Sequence, residues 1–159
     1  MILAVKIGIL FKNHTTPGMH TMMNILVIED DIPIIQYLCR LINGWGYRVD
    51  KAVHGREALS KLQNQSFDLI LLDIFLTDTD AAELIPRIKT IRPDTPIITI
   101  TGHNTREVEL KIRKLGVVAF LTKPIENKEL KLILEHMSKN HAPINHFKRR
   151  AKDDQTQRH

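Results

Sequence analysis

The chain has 159 residues, of which 43% are hydrophobic and 26% charged, as is ordinary for one globular domain with a substantial apolar core. This composition argues against a membrane protein and against a wholly disordered chain. The net charge of +5 lies entirely in the two ends, because residues 23–140 hold 16 basic and 16 acidic side chains. A nucleic-acid-binding body would carry a basic face of its own, so we do not expect nucleic acid as a partner.

The single cysteine, Cys39, lies in an apolar run with helical periodicity. One cysteine cannot form an internal disulfide, so we expect a reducing, cytoplasmic compartment. We interpret Cys39 itself as a small buried side chain of the core.

Residues 1–22 begin with an apolar stretch that could be mistaken for a targeting segment. The stretch lacks a charged leader, Lys6 interrupts it, and no small-residue cleavage signal follows. It is also too short to span a membrane. We therefore interpret residues 1–22 as an extension, which is a flexible arm, an extra strand, or the result of a start placed too early if translation begins at Met22 or Met23.

Between residues 23 and 140 the sequence alternates short apolar strands with amphipathic helices. Strands are predicted over residues 25–28, 47–53, 67–73, 97–100 and 117–121. Helices are predicted over residues 34–42, 56–63, 83–91, 106–115 and 126–138, and Pro86 should bend the third helix or delay its start. Five such units with short connections predict an α/β fold: a doubly wound, flavodoxin-like five-stranded parallel sheet with strand order 2-1-3-4-5.

Residues 67–73, FDLILLD, form the central strand of this prediction. Four consecutive apolar residues indicate a strand that is buried on both faces and that delivers Asp73 to its carboxyl end. In open parallel sheets, ligands bind at this edge, near the point where the strand order reverses. The other predicted strands that end in polar side chains contribute Glu29, Asp30, Asp31, Thr101 and Lys123. We expect these side chains to lie close to Asp73.

Clustered carboxylates need a compensating charge. Two carboxylates about 4 Å apart repel each other by roughly 4 kcal/mol at an effective dielectric constant of 20. Glu29, Asp30 and Asp73 would therefore require a cation or bound protons. Oxygen ligands with retained water suit a hard divalent ion, and Mg²⁺ is the ion we expect. Asp31 is interpreted instead as a helix cap, because a proline follows two residues later.

Four motifs, ILVIEDD, LILLD, ITG and FLTKP, occur in this order and together resemble the receiver domain of two-component response regulators, the family of the bacterial chemotaxis receiver. The resemblance covers residues 24–140. It implies that Asp73 accepts a phosphoryl group from a histidine kinase or a phosphotransfer protein. It also implies that Asp30 binds Mg²⁺ directly, that Glu29 helps through water, and that the Phe75 backbone carbonyl is a further ligand.

The same resemblance implies roles for three residues near the ends of the last two strands. Thr101 and Lys123 would contact the phosphoryl oxygens, and Phe120 matches the aromatic switch position, although Phe120 taken alone could equally be a core aromatic. Phosphorylation would then change the face formed by the fourth helix, the fifth strand and the fifth helix, where a downstream protein partner binds. A homodimer is possible. The protein would be a signalling domain and not an enzyme.

The loop after Asp73 departs from the family pattern. Where the family usually has a proline and then an acid-glycine pair, this chain has Thr77 and Asp80-Ala81. The loop could be looser as a result, and Ala81 would be strained if the loop required a positive φ there. The reacting groups are not affected by these departures.

Two further side chains occupy positions that influence hydrolysis of the phosphoryl group in the family. Phe75 lies two residues beyond Asp73, and its bulk should impede the attacking water and give a long-lived phosphorylated state. His103 lies two residues beyond Thr101, and we expect it to be a solvent-facing loop residue and not a general base.

Residues 141–159 contain turn formers, mixed charge and no apolar periodicity, so we interpret them as a disordered basic tail. The basic run at 148–152 could attract nucleic acid or an acidic surface, but a solvated tail is the simpler interpretation. The tail is too short to form a folded output domain. The chain is therefore expected to be a stand-alone receiver or a receiver cut from a longer regulator.

Two other functions remain open at this point. A phosphatase of the haloacid dehalogenase type also uses an aspartate at a strand end with Mg²⁺, but it needs a second acid two residues later, where this chain has Phe75. A degenerate receiver would bind partners without being phosphorylated. Such a receiver usually lacks the aspartate or the lysine, whereas this chain retains both Asp73 and Lys123.

Overall fold

A computed structural model describes residues 22–102 and 105–140. Within these ranges the strands are β1 (Asn24–Ile28), β2 (Arg48–Ala52), β3 (Leu69–Asp73), β4 (Ile97–Thr101) and β5 (Ala119–Thr122). The helices are α1 (Ile32–Gly44), α2 (Gly55–Asn64), α3 (Ala81–Ile91), α4 (Arg106–Lys114) and α5 (Asn127–Asn140). The predicted alternation is confirmed, with shifts of one or two residues at several ends. The interpretations of residues 1–21, of His103 and of the tail 141–159 lie outside the described residues.

The strands form one parallel sheet in the order β2-β1-β3-β4-β5, as predicted. The chain runs outward from β1 to β2 and then returns to the other side of β1 to form β3. The strand order therefore reverses between β1 and β3, and Ile28 pairs with Leu72 at the carboxyl end of this pair. This reversal leaves a crevice at the ends of the two strands, into which the next residues of each strand project.

The core consists of two apolar layers, one on each face of the sheet. Alternate strand residues point to opposite faces, so Leu26 and Ile70 pack against α2, α3 and α4, whereas Val27 and Leu71 pack against α1 and α5. All five residues of β3 are buried. Full burial of a Leu or Ile side chain contributes about 1.5–3 kcal/mol, so the layers on both sides fix β3 and the side chain at its end.

Helix α1 is capped at its amino end by the residue that the sequence predicted. The Asp31 side chain accepts a hydrogen bond from the Ile34 backbone N–H at 3.0 Å, which confirms its interpretation as a helix cap. Cys39, on the same helix, is only half-buried, so the expectation that it is fully enclosed in the core is wrong. It packs at the border of the layer that contains α1.

Helix α3 begins earlier than expected. Asp80 caps it by accepting a hydrogen bond from the Glu83 N–H at 3.0 Å, and the helix therefore starts at Ala81 and includes Pro86 in its interior. Of the two effects expected of Pro86, a delayed start of the helix is wrong, because the Asp80 cap lies six positions before the proline. A bend at Pro86 stays a prediction. The strain considered for Ala81 is also not found: no non-glycine residue in the described ranges has a positive φ, and the Ala81 N–H donates to the Ile74 carbonyl at 2.8 Å.

None of the helices in the described ranges is both long enough and apolar enough to cross a bilayer.

Candidate functional site

Three acidic side chains meet at the crevice between the ends of β1 and β3. Glu29, Asp30 and Asp73 each contribute a carboxylate oxygen, and these oxygens lie within 4.8 Å of one another. Glu29 and Asp73 are buried, whereas Asp30 is half-buried. The arrangement arises because parallel strands end at the same edge of the sheet and because the strand order reverses here. The structure therefore brings together the three acids that the sequence placed at strand ends.

Lys123 joins this cluster from the end of β5. Its ammonium nitrogen Nζ lies 2.8 Å from Asp73 Oδ2 and 2.8 Å from Glu29 Oε2, so one cation is shared by two buried carboxylates. The Lys123 backbone N–H donates to the Thr101 carbonyl at 2.8 Å, which fixes the direction in which the side chain leaves the sheet. The lysine side chain is only 20% exposed, so its charge is weakly screened by solvent.

The pKa values at the site follow from burial and from these contacts. Burial raises the pKa of Glu29, the charge of Asp73 raises it further, and Lys123 only partly opposes this shift. Burial alone would lower the pKa of Lys123, but its hydrogen bond to Asp73 and the charges of both carboxylates outweigh that effect and raise it. The lysine is therefore held protonated, and one ammonium is shared by two of the three acidic side chains.

The donor set at this site fits a hard divalent cation. Glu29 Oε1 accepts a hydrogen bond from the Asp31 N–H at 3.2 Å. Its other oxygen, Oε2, is buried, and its contact among the described residues is the ion pair with the Lys123 ammonium at 2.8 Å. A buried carboxylate oxygen with unused lone pairs, beside two more carboxylates, is what an oxygen-preferring ion such as Mg²⁺ requires.

Asp30 has a partner that the sequence analysis did not predict. Its Oδ2 accepts hydrogen bonds from the backbone N–H of Thr77, at 2.8 Å, and from the Thr77 hydroxyl. The sequence showed Thr77 only as a departure from a family pattern. A hydroxyl-bearing residue four positions after a strand-end aspartate was the available signal.

Phe75 lies beside the acidic cluster. Its backbone N–H is 3.4 Å from Asp73 Oδ1, and the residue forms an isolated antiparallel bridge with Asp80. The residue is 50% exposed, so a bulky, partly solvent-accessible ring lies two positions from Asp73 in the chain. The assignment of its carbonyl as a metal ligand stays a prediction.

Thr101 and Phe120 lie on β4 and β5, on the side of the sheet that leads toward α4. Thr101 is fully buried at the carboxyl end of β4, where it pairs with Thr122. Phe120 is buried in the layer under α4, and the Arg113 guanidinium lies 5.8 Å from the centre of its ring. The ring is therefore a core residue in this structure, in contact with a cation of the helix above it.

The model of one protein family, the response regulator receiver domain, matches residues 25–135. The chain belongs to this family. It is 34% identical to the transcriptional regulatory protein ZraR of Klebsiella oxytoca over 77% of this chain and 28% of that protein. The chain thus spans about a quarter of the length of the curated relatives it matches.

Solved structures of receivers agree with the fold. The CheY-like receiver of Methanospirillum hungatei JF-1 has a TM-score of 0.71 and 28% identity, covering 77% of this chain and 100% of that chain. A response regulator of Burkholderia pseudomallei, solved with a phosphorylated aspartic acid, a calcium ion and citrate, has a TM-score of 0.65 and 28% identity, covering 69% and 64%. The flavodoxin-like receiver fold inferred from the sequence is confirmed.

Removing the Lys123 ammonium should destabilise the metal-free receiver. In Lys123→Met we expect the free energy of unfolding at pH 7 in EDTA to fall by about 2 kcal/mol, because two buried carboxylates lose their shared partner. Burial raises the pKa of Glu29 in the folded protein above its ordinary value, and loss of the lysine should raise that pKa further. An acid whose pKa is higher in the folded than in the unfolded state adds stability as the pH falls and the acid takes up a proton. The deficit should therefore shrink as the pH falls toward 5.

Urea unfolding at pH 7 and pH 5 measures this difference. Lys128→Met is the matched control, because Lys128 is an exposed lysine of α5 and its loss should change stability little at either pH. A Lys123→Met protein that is as stable as the parent at pH 7, or equally destabilised at both pH values, would contradict this description of the site.

Proposed function

We propose that this receiver accepts a phosphoryl group on Asp73 in a Mg²⁺-dependent reaction and thereby switches a protein-interaction face. A histidine kinase or a histidine phosphotransfer protein would supply the phosphoryl group. The observation that carries the proposal is the Lys123 ammonium, which lies 2.8 Å from both Asp73 and Glu29 in a crevice with three acids. A nucleophilic carboxylate, a fixed cation and an oxygen-rich metal site are what phosphoryl transfer requires of a protein.

Each side chain of the site has a distinct part in this step. An oxygen of Asp73 forms the new bond to phosphorus while the bond from phosphorus to the donor breaks, and the donor keeps the bonding electrons. Lys123 then neutralises charge on the phosphoryl oxygens, to which its ammonium can move from the Asp73 carboxylate. The Thr101 hydroxyl is the second group we assign to those oxygens.

The carboxylates of Glu29, Asp30 and Asp73, with the Phe75 carbonyl, are the groups we assign to the metal ion. When bound, Mg²⁺ supplies further positive charge that stabilises the transferring phosphoryl group. Glu29 Oε2 supports this assignment, because it is a buried carboxylate oxygen whose contact in the described structure is the Lys123 ammonium, which leaves a lone pair for a metal ion. The solved Burkholderia relative, whose structure holds a calcium ion and a phosphorylated aspartic acid, supports it further.

The surface formed by α4, β5 and α5 is the face we assign to a downstream protein partner. Leu110 of α4, Val118 just before β5 and Leu132 of α5 are large apolar side chains with exposed fractions of 50%, 44% and 66%. Exposed apolar residues from three adjacent elements are typical of a protein-binding surface. Phe120 lies beneath this surface, and its ring is the group we expect to move when Thr101 is drawn toward the phosphoryl group. The same surface is available to a homodimer.

The names and lengths of the relatives bear on whether nucleic acid is a partner. Several relatives are named as transcriptional regulators, and each is about four times as long as its match to this chain. These names weigh against our expectation that nucleic acid is not a partner. Our expectation that nucleic acid is not a partner rested on the balanced charge of residues 23–140, so it applies to the receiver alone. We propose that any DNA contact is made by another part of such a regulator. The cytoplasm remains the compartment in which we expect it.

The phosphoacceptor assignment is tested by intact mass after incubation with a small acyl phosphate. We expect one phosphoryl adduct on the natural protein with Mg²⁺, far less in EDTA, and none on Asp73→Asn. The Asn side chain keeps the shape of Asp73 but cannot act as the nucleophile. A folded protein that forms no adduct would favour the degenerate receiver, which acts without phosphorylation.

The ring of Phe75 should prolong the phosphorylated state. In Phe75→Ala we expect the phosphoryl group to be hydrolysed severalfold faster, because the half-exposed ring two residues beyond Asp73 no longer impedes the attacking water. Loss of the adduct is followed by intact mass after the donor is removed. Leu110→Ala, which removes an equally exposed apolar side chain on α4, is the control. A lifetime that Phe75→Ala leaves unchanged would refute this role.

A further inference from the structure

The contact between Thr77 and Asp30 connects the acidic cluster to the loop between β3 and α3. Asp30 Oδ2 accepts two hydrogen bonds from this one residue, from the backbone N–H at 2.8 Å and from the hydroxyl. The two residues are 47 positions apart in the chain, so the contact exists only in the folded protein. Asp30 is the most exposed of the three acids, and it is the one whose side chain needs such a restraint most.

The two hydrogen bonds determine how Asp30 can be used. A carboxylate oxygen has two lone-pair directions, and two donors on Oδ2 occupy both of them. The other oxygen, Oδ1, is then left to face a cation. The same two bonds also restrict rotation of the carboxylate, because a single residue holds one of its oxygens from two directions.

The loop that carries Thr77 is itself fixed in place. The Leu76 N–H donates to the Thr79 carbonyl at 3.1 Å, which closes the loop into a tight turn around Thr77. Asp78, the next residue, accepts hydrogen bonds from the Gly55 and Arg56 N–H groups at 2.9 and 3.2 Å, and thereby caps the start of α2. The donors of Thr77 are therefore held by the fold.

We propose that Thr77 is a positioning residue of the cation site: it orients Asp30 and so sets the affinity of the site for Mg²⁺. This inference rests on the proposed function, because it requires a cation at the acidic cluster. Carboxylates that bind metals are commonly held by a hydrogen-bonding partner behind them, and loss of such a partner typically weakens metal binding 10-fold to 100-fold. Thr77 reaches Asp30 through both its hydroxyl and its backbone N–H, and these contributions can be separated by substitution.

The test is the Mg²⁺ dissociation constant of each purified variant, measured by titration calorimetry without any phosphoryl donor. Thr77→Val keeps the shape and the backbone N–H but removes the hydroxyl, and it should weaken Mg²⁺ binding by about 10-fold. Thr77→Ser restores a hydroxyl and should bind Mg²⁺ as the natural protein does.

Thr79→Val is the matched control. It makes the same substitution two residues away in the same loop, where the hydroxyl forms only long contacts of 3.4 Å with Asp80 and Glu83 and none with Asp30. Its Mg²⁺ affinity should equal that of the natural protein. Thermal unfolding of each variant is measured in EDTA, so that a variant with a damaged fold is recognised. The Mg²⁺ affinities of Thr77→Val and Thr77→Ser are then compared between proteins of equal stability.

The outcomes separate this inference from the proposed function. Weaker binding in Thr77→Val with rescue in Thr77→Ser supports the positioning role. Equal or tighter binding in Thr77→Val, while Asp30→Asn still abolishes binding, overturns the role of Thr77 and leaves the metal site in place. A natural protein that binds no Mg²⁺ overturns both.

Discussion

The Lys123 ammonium lies between two buried carboxylates, and the site depends on this contact. Two carboxylates about 4 Å apart repel by roughly 4 kcal/mol at an effective dielectric constant of 20, and the shared ammonium offsets this repulsion between Asp73 and Glu29. The contact also requires the carboxyl ends of β1, β3 and β5 to be correctly placed, since each delivers one of the three groups. The parallel sheet and its two apolar layers therefore serve to bring one cation and three acids together.

Most of this arrangement could be predicted from the sequence, because it follows from strong periodic signals. The uninterrupted apolar run before Asp73 indicates a strand with a layer on each face, and the structure places it at the centre of the sheet. Parallel strands end at one edge, so the residues after each strand were expected to meet. Glu29, Asp73 and Lys123 do meet there. The roles of these residues in phosphoryl transfer remain proposals.

The contacts that could not be predicted from the sequence are formed by residues in loops, where they depend on the local path of the backbone. The contact of Thr77 with Asp30, and that of Asp78 with the start of α2, arise from a turn whose shape no periodicity specifies. The early start of α3 has a similar cause, since the Asp80 cap outweighs the helix-breaking tendency of Pro86 in this position. Helix and turn propensities are properties of single residues. Each of these contacts instead involves a second residue whose position is set by the folded chain.

We expect Asp73, and no other acid of the cluster, to carry the phosphoryl group. The measurement that tests it most directly is reduction of the phosphorylated protein with borohydride, followed by peptide sequencing, because an acyl phosphate of aspartate is reduced to homoserine. We predict homoserine at position 73 and unmodified aspartate at Asp30. Homoserine at position 30, or at the position of an acid outside the crevice, would contradict the assignment of Asp73 as the phosphoacceptor.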